Sequence, residues 1–159
     1  MKRNGFSLIE LLVVIGIIGF LVSGTIVALG PVRAKARDTK RKTELGQIGR
    51  FLSATNCYTP NSGPGDYDLA DLFNEVKAKF PQVSVVSLPK DPKTGSNTRT
   101  NYHYAYSDEN KCILYVNLEN EKEPTTLNVS SPTPGFGTGV LRSNTTGVNG
   151  SQIYYQVGK

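Results

Sequence analysis

Cysteine and histidine are scarce in this chain, and their scarcity removes whole classes of chemistry. Two cysteines in 159 residues cannot build a disulfide-dense scaffold or a four-cysteine zinc site. The single histidine, His103, excludes a multi-histidine metal centre within one chain. Glycine, with 16 residues, is far too sparse for a collagen. A hydrophobic share of 38% with a net charge of only +5 excludes a disordered tail protein. The apolar residues concentrate at one end, which excludes a polytopic membrane protein.

Recognisable catalytic settings are missing too. No serine, cysteine or acid pair stands in a nucleophile or glycosidase pattern. His103 lies in a tyrosine-rich stretch, where a surface or packing role fits better than that of a base. Gly135-Phe136-Gly137-Thr138-Gly139 is glycine-rich, but no helix follows it and no lysine is placed for phosphate. Flexibility is the better account of that run. No enzyme activity, cofactor, metal site or small-molecule substrate is expected.

The charge that is present is unevenly spread. Residues 1–5 hold Lys2 and Arg3, and residues 6–32 hold only Glu10. Seven bases then crowd residues 33–50 (Arg33, Lys35, Arg37, Lys40, Arg41, Lys42 and Arg50) against Asp38 and Glu44. Residues 51–159 are nearly balanced, with nine bases and ten acids. A basic stretch beside an apolar segment reads as a solvated juxtamembrane helix face that can touch anionic headgroups. DNA is a weakly supported partner of the same stripe. The length fits one domain, or one domain with an appendage.

From Leu11 to Gly30 run twenty uncharged, mostly aliphatic residues, enough to cross a hydrocarbon core of roughly 30 Å as a helix. A cleaved secretory signal needs a shorter core, and Pro31 would directly follow its Ala28-Leu29-Gly30 exit. A plain anchor fits the length but leaves Glu10 unexplained. An ionised side chain within such a span costs about 2.5–3.5 kcal/mol at its centre on insertion scales, and less near an end. The acid sits in the string Lys2-Arg3-Asn4-Gly5-Phe6-Ser7-Leu8-Ile9-Glu10-Leu11, a short basic leader ending in glycine and then phenylalanine.

The string Gly5-Phe6-Ser7-Leu8-Ile9-Glu10 and the aliphatic run behind it closely resemble the N-terminus of the type IV pilin superfamily. That superfamily includes pilins of surface filaments and pseudopilins of type II secretion. The resemblance is specific over residues 1–55 and architectural beyond them. It implies that a prepilin peptidase in the membrane cuts between Gly5 and Phe6 and methylates the new amine of Phe6. It also implies that Glu10 matches each growing subunit to its neighbour in a homopolymer built on a membrane assembly platform.

The physical chemistry of the string agrees. Cleavage turns the neutral amide nitrogen of Phe6 into an ammonium four residues, or about 6 Å of helix rise, from Glu10. In a low-dielectric layer the Phe6–Glu10 pair between neighbours is strong, and either member alone is costly. Removal of Lys2 and Arg3 leaves 16 bases against 13 acids. The six bases of Arg33–Lys42 against two before the span favour an extracytoplasmic N-terminus by the positive-inside rule. The superfamily has the opposite topology, and the protease site is the sharper constraint.

The expected fold is α+β: a long N-terminal transmembrane-to-soluble α-helix packed on a small antiparallel β-sheet, as in pilins. Its parts are a leader at 1–5, a hydrophobic helix at 6–30, an amphipathic continuation at 31–56 and an extracytoplasmic domain at 57–159. The helix is expected from Phe6 to about Thr55, roughly 75 Å if straight. Gly16, Gly19, Gly24 and Pro31 are its weak points for kinking or local melting. Leu45, Ile48 and Leu52 form the stripe that holds the sheet, with Phe51 beside them; Arg37, Lys40, Lys42 and Glu44 point elsewhere.

In the soluble part, residues 61–65 read as a loop and Asp68–Phe80 as a short helix ending before Pro81. Residues 83–88 read as a strand. Tyr102, Tyr104 and Tyr106 followed by Cys112, Leu114, Val116 and Leu118 read as a hairpin turning at 107–110. Residues 119–150 read as a long irregular loop, and Ile153, Tyr155 and Val157 as a last strand. Cys57 and Cys112 can close a disulfide worth about 4 kcal/mol by chain entropy, the alternative being two buried thiols. Pro89-Lys90-Asp91-Pro92 ahead of tyrosine-rich strands resembles major pseudopilins. Calcium binding through C-terminal acids, as in related pseudopilins, is not expected, because residues 124–159 contain none.

The leading expectation is therefore a structural subunit of a surface filament serving motility, adhesion or DNA uptake. Its precursor sits once through the cytoplasmic membrane, and its mature form joins an extracellular or periplasm-spanning fibre. A type II secretion pseudopilin is the alternative. A monomeric membrane-anchored binding domain is the second.

Overall fold

The computed structural model describes residues 6–52, 56–81 and 88–158, without the side chains of residues 25–28 and 51–52. The leader at 1–5, the helix end near Thr55 and most of the strand expected at 83–88 lie outside the described residues. The chain divides into two compact units, Met1–Ala34 and Lys35–Lys159.

The first unit holds the opening of α1 (Leu8–Leu52). Phe6, Leu8, Ile9, Ile15 and Phe20 all stand open, Phe6 at 84% exposure. A helix that is apolar all round needs a lipid or protein surrounding. Among the described residues no single helix is long and apolar enough by itself to cross a membrane, but the bent pair Leu8–Gly24 and Leu29–Arg50 passes that test together.

The second unit is a five-stranded antiparallel sheet with helical cover. Its elements after α1 are β1 (Gly65–Asp68), α2 (Leu69–Lys79), β2 (Tyr102–Ser107), β3 (Lys111–Asn117), β4 (Gly139–Arg142) and β5 (Ile153–Gly158). The strand order is β1-β2-β3-β5-β4, with β1 and β4 at the edges. On one face Tyr102, Tyr104, Leu114 and Val116 meet Leu45 and Ile48 of α1 in a single apolar core. The approach is close at Gly49, where an added Cβ would stand 2.6 Å from Val157 Cγ1. Glycine is what lets helix and sheet meet there.

Side chains alternate across a strand, so Ile113 and Gln156 belong to the other face. Both are fully buried. The covering comes from the segment before β4: Thr133 N–H donates to Gln156 Oε1 (3.1 Å), and Gln156 Nε2 donates to Gly137 O (2.9 Å). The glycine-rich run at 135–139 is thus tied to the sheet, with Gly135 and Gly137 at positive φ to make the turn. Its expected flexibility is corrected to a turn with a structural partner.

Three further corrections apply. Residues 119–150 are not wholly irregular, since Gly139–Arg142 pairs with β5 from Gly139↔Gln156 to Arg142↔Ile153. Only Val140 and Leu141 carry an apolar signal there, too short to read as a strand. β1 was invisible for a similar reason, because Gly-Asp-Tyr-Asp has no apolar run; it pairs with β2 through backbone bonds. Asp68 is the cap before α2 and not its first residue: its side chain accepts Ala70 N–H at 2.9 Å. The same carboxylate accepts the N–H groups of Thr100 (2.9 Å) and Asn101 (2.8 Å), pinning the loop that leads into β2.

Candidate functional site

The head of α1 carries the residues that the sequence singles out. Phe6 precedes the helix and is exposed. Ser7 caps it: its Oγ accepts Ile9 N–H at 3.3 Å, and its carbonyl accepts Leu11 N–H at 3.3 Å. Glu10 turns back, and its Oε2 accepts the N–H of Ser7 at 3.0 Å. Gly5 and the rest of the leader lie outside the described residues.

Gly16, Gly19 and Gly24 line the exposed apolar helix, and nothing lies within 4 Å of a Cβ built on any of them. Among the described residues, therefore, no neighbour requires glycine there. Ser23 Oγ donates to Gly19 O at 2.6 Å, sharing a carbonyl that the helix already uses. Pro31 lies inside α1. It has no N–H to offer the ladder.

The second unit holds a charged cluster that the sequence reading missed. Arg41 is fully buried. Its guanidinium grips Asp91 with two bonds, Nε to Oδ2 at 2.8 Å and Nη2 to Oδ1 at 2.9 Å. Nη1 reaches Asp38 Oδ1 and Glu119 Oε1, each at 2.7 Å. Arg37 adds a fork onto Glu119, with both contacts at 2.7 Å. Lys42 pairs with Glu123, and Glu44 accepts the hydroxyl of Tyr102. The basic stretch is therefore not a solvated face throughout: Arg41 docks α1 on two loops of the domain, while Arg33, Lys35 and Lys40 remain exposed.

Local sequence explains each partner. Asp91 lies in Pro89-Lys90-Asp91-Pro92-Lys93-Thr94-Gly95, a turn in which its Oδ1 also accepts the N–H groups of Lys93 (2.8 Å) and Thr94 (2.9 Å). Gly95 is required because a Cβ would meet Asp91 N at 2.5 Å. Asn149, buried despite its Asn-Gly-Ser context, donates Nδ2 to Asp91 Oδ2 and to Asn117 O, both at 2.8 Å. Asp38 accepts the N–H groups of Glu119 and Asn120 at 2.9 Å each. Among the described residues no buried side-chain polar atom is left unpaired.

The electrostatics follow from this geometry. Burial alone would raise the Asp91 carboxyl, but the bonds from Arg41, Asn149 and the turn hold it well below the usual carboxylate range. The bond from Arg37, then those from Arg41 and Lys93, hold Glu119 down to about 2 against its partial burial. Burial opposes the charge on Arg41, yet its three carboxylates raise it further. The signal that could have located the cluster was positional. Arg41 lies four residues before Leu45, on the same helix face as the core stripe.

Cys57 and Cys112 are joined as a disulfide, with Sγ–Sγ 2.10 Å and Cα–Cα 5.8 Å. It ties the chain just past α1 to the start of β3, and Cys57 N–H donates to Asn110 Oδ1 at 3.0 Å beside it. His103 stacks on Tyr115 with ring centroids 5.0 Å apart, and its Nδ1 lies 3.4 Å from Asp66 Oδ1. Among the described residues no group of three or more His, Cys, Asp or Glu side chains is arranged to hold a metal ion.

Among protein families, the one described as "Prokaryotic N-terminal methylation motif" matches residues 1–26. No curated protein and no solved structure matches the chain. The motif suggests membership in the type IV pilin and pseudopilin superfamily, and the α+β fold of the second unit agrees with a pilin-like architecture. A membrane-anchored precursor is consistent with the motif and with the bent apolar helix pair. The motif supports a pilin- or pseudopilin-type structural role, which is not enzymatic, and implies processing by a peptidase.

Proposed function

We propose that the chain is a structural subunit of a type IV pilus-like surface filament. The precursor is cut between Gly5 and Phe6, methylated on Phe6, held in the membrane by residues 6–30 and polymerised through that helix. The observation that carries this reading is an apolar stretch at 6–30, exposed at every described side chain, whose one acid, Glu10, faces the end where cleavage creates an ammonium. The ammonium of one subunit pairs with Glu10 of the next, so cleavage switches the precursor into an assembling form. Gly16, Gly19, Gly24 and Pro31 give the helix its places to bend or unwind as it leaves the bilayer. The disulfide and the Arg41 cluster keep the domain intact outside the cell.

Glu10→Gln is the decisive variant. The precursor is expected to accumulate in the membrane and to be cleaved, with no subunit recovered in the sheared surface fraction. Wild-type amounts of filament from that variant would overturn the reading. A pseudopilin of type II secretion is the second reading, supported by the resemblance of Pro89-Lys90-Asp91-Pro92, ahead of tyrosine-rich strands, to major pseudopilins. Deleting the gene separates the two: loss of motility, adhesion or DNA uptake fits the pilus, and loss of secreted enzymes fits the pseudopilus.

A further inference from the structure

The head of α1 contains an arrangement that the filament reading does not require. An α-helix begins with N–H groups that no carbonyl in the helix can accept. Here Ser7 Oγ accepts the N–H of Ile9 (3.3 Å), and Glu10 Oε2 accepts the N–H of Ser7 (3.0 Å). Serine at the cap with glutamate three residues later is the residue pattern of a capping box, here with Ser7 Oγ on the N–H of Ile9, one residue before Glu10. The carboxylate is thereby turned toward the N-terminal end of the helix, where the helix dipole also favours negative charge. One of its oxygens is engaged; Oε1 has no hydrogen-bond partner among the described residues.

We propose that Ser7 is a positioning residue for Glu10: the Ser7–Glu10 box holds the carboxylate aimed at the N-terminal end before any neighbour arrives, with one oxygen bound to the backbone and the other presented to an incoming ammonium. The inference rests on the filament reading for the identity of that ammonium, which is the Phe6 amine of another copy. The box itself requires neither cleavage nor a partner, because the N–H of Ser7 is a backbone group in precursor and mature chain alike. Its effect is twofold. A carboxylate in an apolar layer keeps one charge-assisted bond and so is cheaper to hold there. A carboxylate fixed in one rotamer meets its partner with less ordering to do.

The box and the ion pair make different demands on residue 10. Glutamine serves in a capping box as glutamate does, because its carbonyl oxygen can accept the same N–H. It cannot form the ion pair. Alanine does neither. Single-amide hydrogen exchange by NMR on the full-length uncleaved chain in lipid bicelles separates the roles. The Ser7 amide is expected to exchange about fivefold faster in Glu10→Ala than in wild type, by the usual strength of a cap. In Glu10→Gln it should keep its wild-type rate. The Ile9 amide should exchange faster in Ser7→Ala and return to wild type in Ser7→Thr.

Filament yield per cell, at equal membrane content of cleaved subunit, is the second readout. Ser7→Ala should lower it about fivefold, and Ser7→Thr should restore it. A Ser7 amide equally fast in wild type and Glu10→Ala would overturn the box, as would full filament yield from Ser7→Ala. Full filament yield from Glu10→Gln, with Ser7 still protected, would instead overturn the ion-pair reading and leave the box standing.

Discussion

The two stretches of α1 invert the ordinary rule of burial. From Phe6 to Val22 the side chains are almost all apolar, and they are exposed. From Asp38 to Glu44 they are all polar or charged, and Asp38 and Arg41 are buried. Composition alone would assign these fates the other way round. The leucines of the first stretch stand exposed, Leu8 and Leu11 among them. An arginine in the second is buried because three carboxylates accept from its guanidinium, while backbone N–H groups donate to Asp91 and Asp38 in turn. The second stretch makes its contacts within the chain, while the first leaves its apolar side chains exposed.

Breaking the second stretch should give the largest effect on stability. Arg41→Ala leaves Asp38, Asp91 and Glu119 facing one another without their common cation. Removing one partner from a buried ion pair typically costs about 3–5 kcal/mol. Denaturant unfolding of the detergent-solubilised chain should show that loss, while membrane insertion of the first stretch stays unchanged. Arg41→Lys should recover only part of it, since an ammonium cannot grip Asp91 with two parallel bonds.

Opening the disulfide comes next. Cys57→Ser with Cys112→Ser should cost about 2–4 kcal/mol by the same measurement, again without touching the first stretch. Acid sharpens the comparison further. The folded domain holds Glu119 and Asp91 below their ordinary values, so both stabilise it above those values and lose that contribution as they protonate. Stability should therefore fall as pH drops from the ordinary glutamate range toward about 2, and Glu119→Gln should flatten that slope. An unchanged slope in the variant would mean that other carboxylates set the acid limit. Gly49→Ala should be the mildest, at about 1–3 kcal/mol, from crowding Val157.

How much of this was legible in the sequence depended on whether a residue's role was local. The β2–β3 hairpin, the α2 segment and the last strand were readable because alternation or helical spacing over several residues signals them. The stripe of Leu45 and Ile48 was readable for the same reason. β1 and β4 were not, since four-residue edge strands gain their place from backbone pairing with a neighbour. The Arg41 cluster escaped because its members come from residues 38, 91, 119 and 149, brought together only by the fold. At the head of α1, residue types alone directed attention to Glu10. The bond from Ser7 N–H that orients it appeared only in the structure.

The central claim is that the exposed apolar stretch works by joining copies through a newly freed amine. Mass analysis of the first peptide from purified surface fibres tests it most directly. The account predicts a chain beginning at methylated Phe6, with Gly5 and everything before it gone. Fibres whose subunits still begin at Met1 would contradict it, because no ammonium would then exist to meet Glu10.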